Sequence, residues 1–322
     1  MLNEIIQAIS SHHHFLISTH EGPDGDAVGS SLALASYLRR QGKDVTVYCC
    51  DRFPELYRFL PGFDTAVSAL PDKDFDVCFV LDVGEFKRAG REIGASQRIG
   101  MLINIDHHKG CDNFGAINLI DPQASATGAL IFRIIKNAGH VVDYETALSI
   151  YTAVITDTGS FRYSNADPEA FAIAGEMIAT GINAWDISEK LYESQPRQRL
   201  ELLAQALSTL TISPCGTYAS VTVTLEMYAR TGGSPELTDG FVNYPRSIQG
   251  VEVSVFFREL EPGKYKVGFR SKGKVDVSAL AAAFGGGGHH NAAGCTVTGA
   301  YQEVTTRVFD HLSRALQLST PQ

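Results

Sequence analysis

Cysteine is scarce in this chain and arranged for no obvious bond. Six residues, Cys49, Cys50, Cys78, Cys111, Cys215 and Cys295, form no C-x-x-C pair and no framework spacing. That argues against a zinc ribbon or a disulfide-stapled scaffold and suits a reducing cytoplasm. Cys49 and Cys78 fall in strand-like runs, where a free thiol behaves as a small apolar side chain. No apolar run reaches the length of a membrane span. The amino terminus, MLNEIIQAISSHHHFL, lacks the basic start and cleavable apolar segment of an export signal, so the expected location is cytoplasmic. Basic charge is also in deficit: 27 Lys and Arg stand against 36 Asp and Glu, a formal net charge of −9. Such a chain is poorly suited to gripping long nucleic acid through counterion release, so neither a membrane nor a long duplex is an expected partner. A nucleic-acid substrate would be short, or held by local metal and Arg/Lys contacts. Internal repeats and low-complexity segments are absent as well, apart from the last few residues.

What is present describes a globular α/β protein with material for two cores: 322 residues, 44% hydrophobic and 20% charged. The first half alternates strand-like and helix-like patterns. Strands are expected at 15–18, 44–49, 75–81, 100–105 and 115–120, and helices at 27–38, 127–138, 144–155 and 168–179. Nearly continuous apolar strands separated by helices predict a parallel sheet covered by helices on both faces. Residues 1–185 make this first domain, and a polar helical stretch at 186–208 reads as a connector. From 209 to 322 the period changes to strands at 218–224, 251–257 and 264–270, a helix at 280–284 and a terminal helix at 302–316. That is a smaller α/β domain.

The chemistry begins at His20-Glu21-Gly22-Pro23-Asp24-Gly25-Asp26, directly after the first strand. Pro23 and Gly25 bend the backbone so that His20, Asp24 and Asp26 can converge on one point. Such groups are costly to keep together unless a cation neutralises them. A mixed nitrogen and oxygen set favours a divalent ion such as Mn²⁺, with Mg²⁺, Co²⁺ and Zn²⁺ behind it. Other strands end in the same residue types: Leu81 is followed by Asp82, and Ile105 by Asp106-His107-His108. Ligands gather at the carboxyl ends of strands in open parallel sheets, so these groups should share one crevice. Asp157, which ends an apolar helix and opens the turn Asp157-Thr158-Gly159, can return to the same place. Taken singly, each is explained by a turn or a helix cap. Together, so many carboxylates and imidazoles require about two divalent ions for charge balance.

The stretches HEGPDGDAVGS, VLDVGEF, INIDHH and ITDTGSFRYSN resemble the four ordered motifs of the DHH phosphoesterase superfamily. The second domain carries GGGHHNAAG at 286–294, similar to the signature of the DHH-associated C-terminal domain. The resemblance covers nearly the whole chain and lies nearest the short two-domain oligoribonucleases (nano-RNases) that also act on adenosine 3′,5′-bisphosphate. It implies an active site in the cleft between the domains and a metal-dependent hydrolase using two divalent ions, Mn²⁺ first and Mg²⁺ or Co²⁺ as substitutes. One ion would take His20, Asp24 and Asp82; the other would take Asp26, Asp82, His107 and Asp157. Asp106 would orient a neighbouring ligand. His108 would contact the scissile phosphate or pass a proton to the leaving oxygen. No covalent enzyme intermediate is expected.

In the second domain, the glycines at 285–288 read as a cradle for phosphate or carboxylate, with Gly287 and Gly288 offering N–H groups and His289 a side-chain donor. Gly268 to Val275 almost spells a P-loop, but it lacks the Ser or Thr after Lys and an immediate helix, so a nucleotide triphosphatase is rejected. Arg270, Ser271 and Lys272 are instead expected to meet an anionic substrate, with Arg246 as a further candidate. A solvated strand face remains the alternative for these cations. Expected substrates are short RNAs, pApA-type dinucleotides and adenosine 3′,5′-bisphosphate. Alternatives are a soluble phosphodiesterase for pApA or cyclic di-AMP, and a non-catalytic nucleotide sensor. Relatives of this kind are often homodimers, although no stretch of the sequence marks an interface.

Overall fold

Five apolar runs of the first half pair as one parallel sheet in the computed structural model, which describes residues 1–318. They are β1 (His14–Ser18), β2 (Asp44–Tyr48), β3 (Phe75–Leu81), β4 (Ile99–Asp106) and β5 (Ile117–Ile120), in the order β2-β1-β3-β4-β5. The helices of this part are α1 (Leu2–Ser11), α2 (Gly25–Arg40), α3 (Arg91–Ala95), α4 (Thr127–Asn137), α5 (Tyr144–Asp157), α6 (Pro168–Ala179) and α7 (Ala184–Ser188). Alternate strand residues feed two cores, as a doubly covered sheet requires. Phe15, Ile17, Val77, Phe79, Leu81, Ile103 and Ile105 pack with the long helices. Leu16, Cys78 and Val80 face a thinner layer containing Val83, Ala89 and Ile93, from the loop and short helical turns after β3.

α2 starts where its cap dictates. The Asp24 carboxylate accepts the N–H groups of Asp26 and Ala27, both at 3.1 Å, which satisfies two otherwise orphaned donors. Asp26 therefore lies in the first helical turn rather than in the preceding bend. α2 then lies against α5 with almost no side chain between them. A Cβ on Gly29 would come within 2.6 Å of Ser149 O, and one on Gly128 of α4 within 2.4 Å of Ala153 Cβ on α5. The close approach brings the start of α2, the start of α4 and the end of α5 to one place.

The chain divides into two units, Met1–Ser194 and the part from Gln195 onward. The polar stretch 186–208 is shared between them. It includes the end of α7, a π-helical turn at Glu189–Glu193, and α8 (Arg197–Ser208). Leu202 and Ala206 of α8 are buried with Val223 and Phe241 of the second unit. The second unit also holds β6 (Thr211–Ile212), β7 (Tyr218–Val223), α9 (Leu225–Thr231), α10 (Asn243–Arg246), β8 (Val253–Glu261), β9 (Lys264–Ser271), α11 (Val277–Ala282), β10 (Gly287–His289), β11 (Ala292–Thr298) and α12 (Tyr301–Leu318). Its sheet runs β10-β11-β9-β8-β7-β6 and is mixed, with β7 and β8 parallel and the remaining neighbours antiparallel. The expected helix at 280–284 begins earlier because Asp276 caps it, accepting the Ser278 N–H at 2.9 Å.

Candidate metal centre

His20 follows β1 at the carboxyl edge of the first sheet, and its two ring nitrogens have different surroundings. Nδ1 lies 2.9 Å from the Glu21 carbonyl, the geometry of an N–H donor. The Nε2 lone pair is then left facing Asp82 Oδ2 at 3.8 Å and Asp24 Oδ1 at 4.0 Å. Burial lowers the His20 pKa, which favours the neutral ring that a metal ligand needs. His107, just past β4, is set in the same way. Its Nδ1 is 3.1 Å from the Ala124 carbonyl, and Nε2 is 3.7 Å from Asp26, 3.6 Å from Asp82 and 3.7 Å from Asp157. Burial alone would depress its pKa, but the Asp26 and Asp157 carboxylates outweigh burial and raise it.

The acids are held by neutral donors. Both oxygens of Asp26 accept peptide N–H groups, from Thr127 at 2.6 Å and Gly128 at 2.9 Å. Asp82 adopts a left-handed backbone at φ 61° and accepts the Thr127 hydroxyl at 3.0 Å. Burial first, and the neighbouring Asp82 next, push the Asp26 pKa well above the carboxylate range. Asp82 is raised likewise by burial and by Asp24, Asp106 and Asp157. Asp157 ends α5, accepts Asn165 Nδ2 at 2.8 Å, and is pushed up to about 6, chiefly by burial. Carboxylates so displaced are short of positive charge.

Three sets of ligand atoms converge, each within 4.8 Å: His20, Asp24 and Asp82; Asp26, His107 and Asp157; and Asp82, His107 and His108. The residues present fit divalent ions. The donors are nitrogen and oxygen, the imidazoles are fixed with Nε2 inward, and buried carboxylates surround them. The third set differs in kind. His108 Nδ1 is already 2.7 Å from Asp106 Oδ1, which also accepts the His108 backbone N–H at 2.8 Å. Asp106 Oδ2 takes the Gly84 N–H at 2.5 Å and the Cys111 thiol at 3.1 Å. Burial acts to raise the Asp106 pKa, but the bonds and charge from His108 and the Gly84 N–H prevail and hold it below the ordinary carboxylate range. An ionised Asp106 thus pins the His108 ring through Nδ1.

Comparisons with known proteins give this geometry a lineage. Residues 14–155 match the DHH family, N-terminal domain, and residues 218–317 match the DHHA1 domain. The chain is 34% identical over 323 residues to the bifunctional oligoribonuclease and PAP phosphatase NrnA of Thermus thermophilus, covering 98% of this chain and 94% of that one. The chain belongs to the DHH family of phosphoesterases. This DHH protein is also 27% identical over 300 residues to the protein of the same name from Bacillus subtilis, covering 92% and 93% of the two chains. A crystal structure of an exopolyphosphatase-related protein from Bacteroides fragilis superposes with a TM-score of 0.92 at 32% identity, covering 99% of this chain and 97% of that one. No helix among the described residues is long and apolar enough to cross a membrane.

The remaining expected site residues of this DHH protein all lie in its second unit. Arg270 and Ser271 end β9, Lys272 follows in the turn, and Arg246 ends α10. Lys272 is exposed, with Nζ 3.2 Å from the Ile248 carbonyl. Ser271 is buried; its hydroxyl donates to Glu252, just before β8, at 3.2 Å and accepts the Gly273 N–H at 3.0 Å. The second half of the glycine run is strand rather than loop. Gly287, Gly288 and His289 form the edge strand β10, paired with Gly294, Ala293 and Ala292. A Cβ at Gly288 would lie 2.5 Å from both Ala292 O and Ala293 Cα, whereas one at Gly287 would meet nothing within 4 Å. Close strand packing therefore explains Gly288, and the side chain of His289 lies outside the described residues.

Sequence reading missed the supporting groups. Thr127, Gly128 and Ala124 act through backbone atoms or one hydroxyl, and nothing in their type announces this. Arg88 Nη2 donates to the Glu21 carbonyl at 3.4 Å, the same oxygen that His20 Nδ1 faces. Asn165 had a usable signal, since it closes the same motif that Asp157 opens.

Proposed function

We propose that the chain hydrolyses short oligoribonucleotides to mononucleotides and removes a phosphate from adenosine 3′,5′-bisphosphate, with Mn²⁺ as its working ion. The observation that carries this reading is the convergence of Asp26, His107 and Asp157 from three separate elements on one point. The names of the Thermus and Bacillus relatives, which span nearly the same length, supply the substrate class.

In this reading His20, Asp24 and Asp82 hold one ion, and Asp26, His107 and Asp157 hold the other with Asp82 shared. Bound there, divalent ions supply Lewis-acid polarisation of the phosphoryl group and activate water at neutral pH. The chain's own residues do the rest. Asp106 fixes the His108 ring through Nδ1, and His108 contacts the phosphate or passes a proton to the leaving oxygen. The second unit acts as the recognition half. Arg270, Lys272 and Arg246 offer cations to the substrate phosphates, and the exposed Gly287 on edge strand β10 lets a nucleotide approach the backbone closely. The six free cysteines suit action in the reducing cytoplasm.

The test is a panel assay with the full chain in Mn²⁺ and in chelator. The panel contains an RNA 5-mer, pApA, cyclic di-AMP, adenosine 3′,5′-bisphosphate and pyrophosphate. Metal-dependent release of AMP from pApA and the bisphosphate, and of mononucleotides from the 5-mer, is the expected result. Turnover of pyrophosphate or cyclic di-AMP alone, or binding without turnover, overturns the reading.

A further inference from the structure

Thr127 is buried at the first position of α4 and makes two different bonds to two different acids. Its peptide N–H donates to Asp26 Oδ2 at 2.6 Å, and its hydroxyl donates to Asp82 Oδ1 at 3.0 Å. Asp26 belongs to α2 and Asp82 to the turn after β3, so one residue of a third element spans both. The hydroxyl is the shortest polar contact of the Asp82 carboxylate among the described residues; the imidazoles of His20, His107 and His108 stand 3.6–3.8 Å away. Asp26 in turn does the work of an N-cap for α4, because Gly128 N–H binds its other oxygen at 2.9 Å and the local cap position, Ala126, has no side-chain acceptor. Thr127, Asp26 and Asp82 are 0–2% exposed, so water does not substitute for a lost donor.

We infer that Thr127 is a positioning residue that sets the spacing and rotation of Asp26 and Asp82. The inference rests on the proposed reading of these acids as metal ligands. The physical cause is local. Two carboxylates this close repel, and each rotates away from the other unless a neutral donor holds it. Asp82 is also backbone-strained at φ 61°, and its side chain reaches the shared position only while the hydroxyl anchors Oδ1. The hydroxyl of Thr127 gives the Asp82 carboxylate its direction. The structure thus separates the two acids' supports: replacing the hydroxyl leaves the N–H bond to Asp26 in place and releases Asp82 alone.

The experiment is Mn²⁺ titration by calorimetry and by electron paramagnetic resonance, on the metal-free full chain of wild type, Thr127→Val and Thr127→Ser. Thr127→Val keeps shape and the peptide donor, and it should weaken Mn²⁺ binding about 10–100-fold, the usual effect of losing a group behind a ligand. Thr127→Ser keeps the hydroxyl and should bind close to wild type. At saturating Mn²⁺ the Val variant should recover turnover with an unchanged substrate KM. Thermal melts in chelator establish that each variant is folded. Should Val bind Mn²⁺ as wild type does, or a folded Ser variant bind as poorly as Val, Thr127 is not a positioning residue. Wild type that binds no Mn²⁺ would instead remove the metal reading together with the inference.

Discussion

Replacing Asp157 with Asn should change stability in opposite directions with and without metal. Burial, first of all, pushes the Asp157 carboxyl up to about 6 in the metal-free fold, against an ordinary 3.8. A carboxyl with a raised folded pKa stabilises the fold while protonated, below about pH 4, and that contribution is lost as pH rises through about 6. The gap corresponds to about 3 kcal/mol at 1.36 kcal/mol per pKa unit, and the 28% exposure of the side chain trims it to about 2 kcal/mol. Asn has the same shape, carries no charge and can still accept the Asn165 amide, which now bonds Asp157 at 2.8 Å. In chelator, wild type and Asp157→Asn should therefore melt nearly together at pH 4. At pH 7.5 the variant should melt higher by about 4–8 °C, taking about 2–4 °C per kcal/mol for a unit of this size. Added Mn²⁺ should reverse the order at pH 7.5, because the ion stabilises wild type by mass action and binds the neutral amide poorly. Calorimetry at four pH values decides the matter. A difference between the two proteins that stays flat with pH in chelator, or that grows in favour of wild type, refutes the electrostatic account of this centre.

Three other outcomes follow from the same geometry. Asp82→Ala and His107→Ala should each abolish Mn²⁺-dependent release of mononucleotides while far-ultraviolet circular dichroism stays native, and wild-type turnover in either would remove it from the centre. Arg270→Ala should raise KM for pApA more than it lowers kcat, since the residue is assigned to binding; steady-state kinetics with an unaltered KM would dismiss that role. Gly288→Ala should destabilise the second unit by about 2–3 kcal/mol through backbone contact and a disfavoured φ, whereas Gly287→Ala should leave urea unfolding unchanged and affect only substrate binding.

The metal-binding candidates were legible because a parallel sheet collects its strand ends. Asp82 and His107 follow β3 and β4 directly and His20 follows β1 after one residue, so apolar runs that end in acid or imidazole predict a shared edge. Asp157 was less determined. It reaches the centre from a helix, and its proximity depends on α2 and α4 lying against α5 at Gly29, Gly128 and Ala153. That Gly287 and Gly288 belong to a strand was not legible, because glycines carry no apolar alternation and only pairing with β11 reveals it.

Residue type and order by themselves determined which side chains are able to bind cations and which strands present them, since both depend on local pattern. The tertiary structure alone decided what keeps those side chains in place. Thr127, Ala124 and Asn165 reach their partners across 8–101 positions of chain, and two of these four bonds use peptide groups rather than side chains. A backbone N–H has no signature in a sequence, and it becomes a specific donor only when folding buries it against one particular carboxylate.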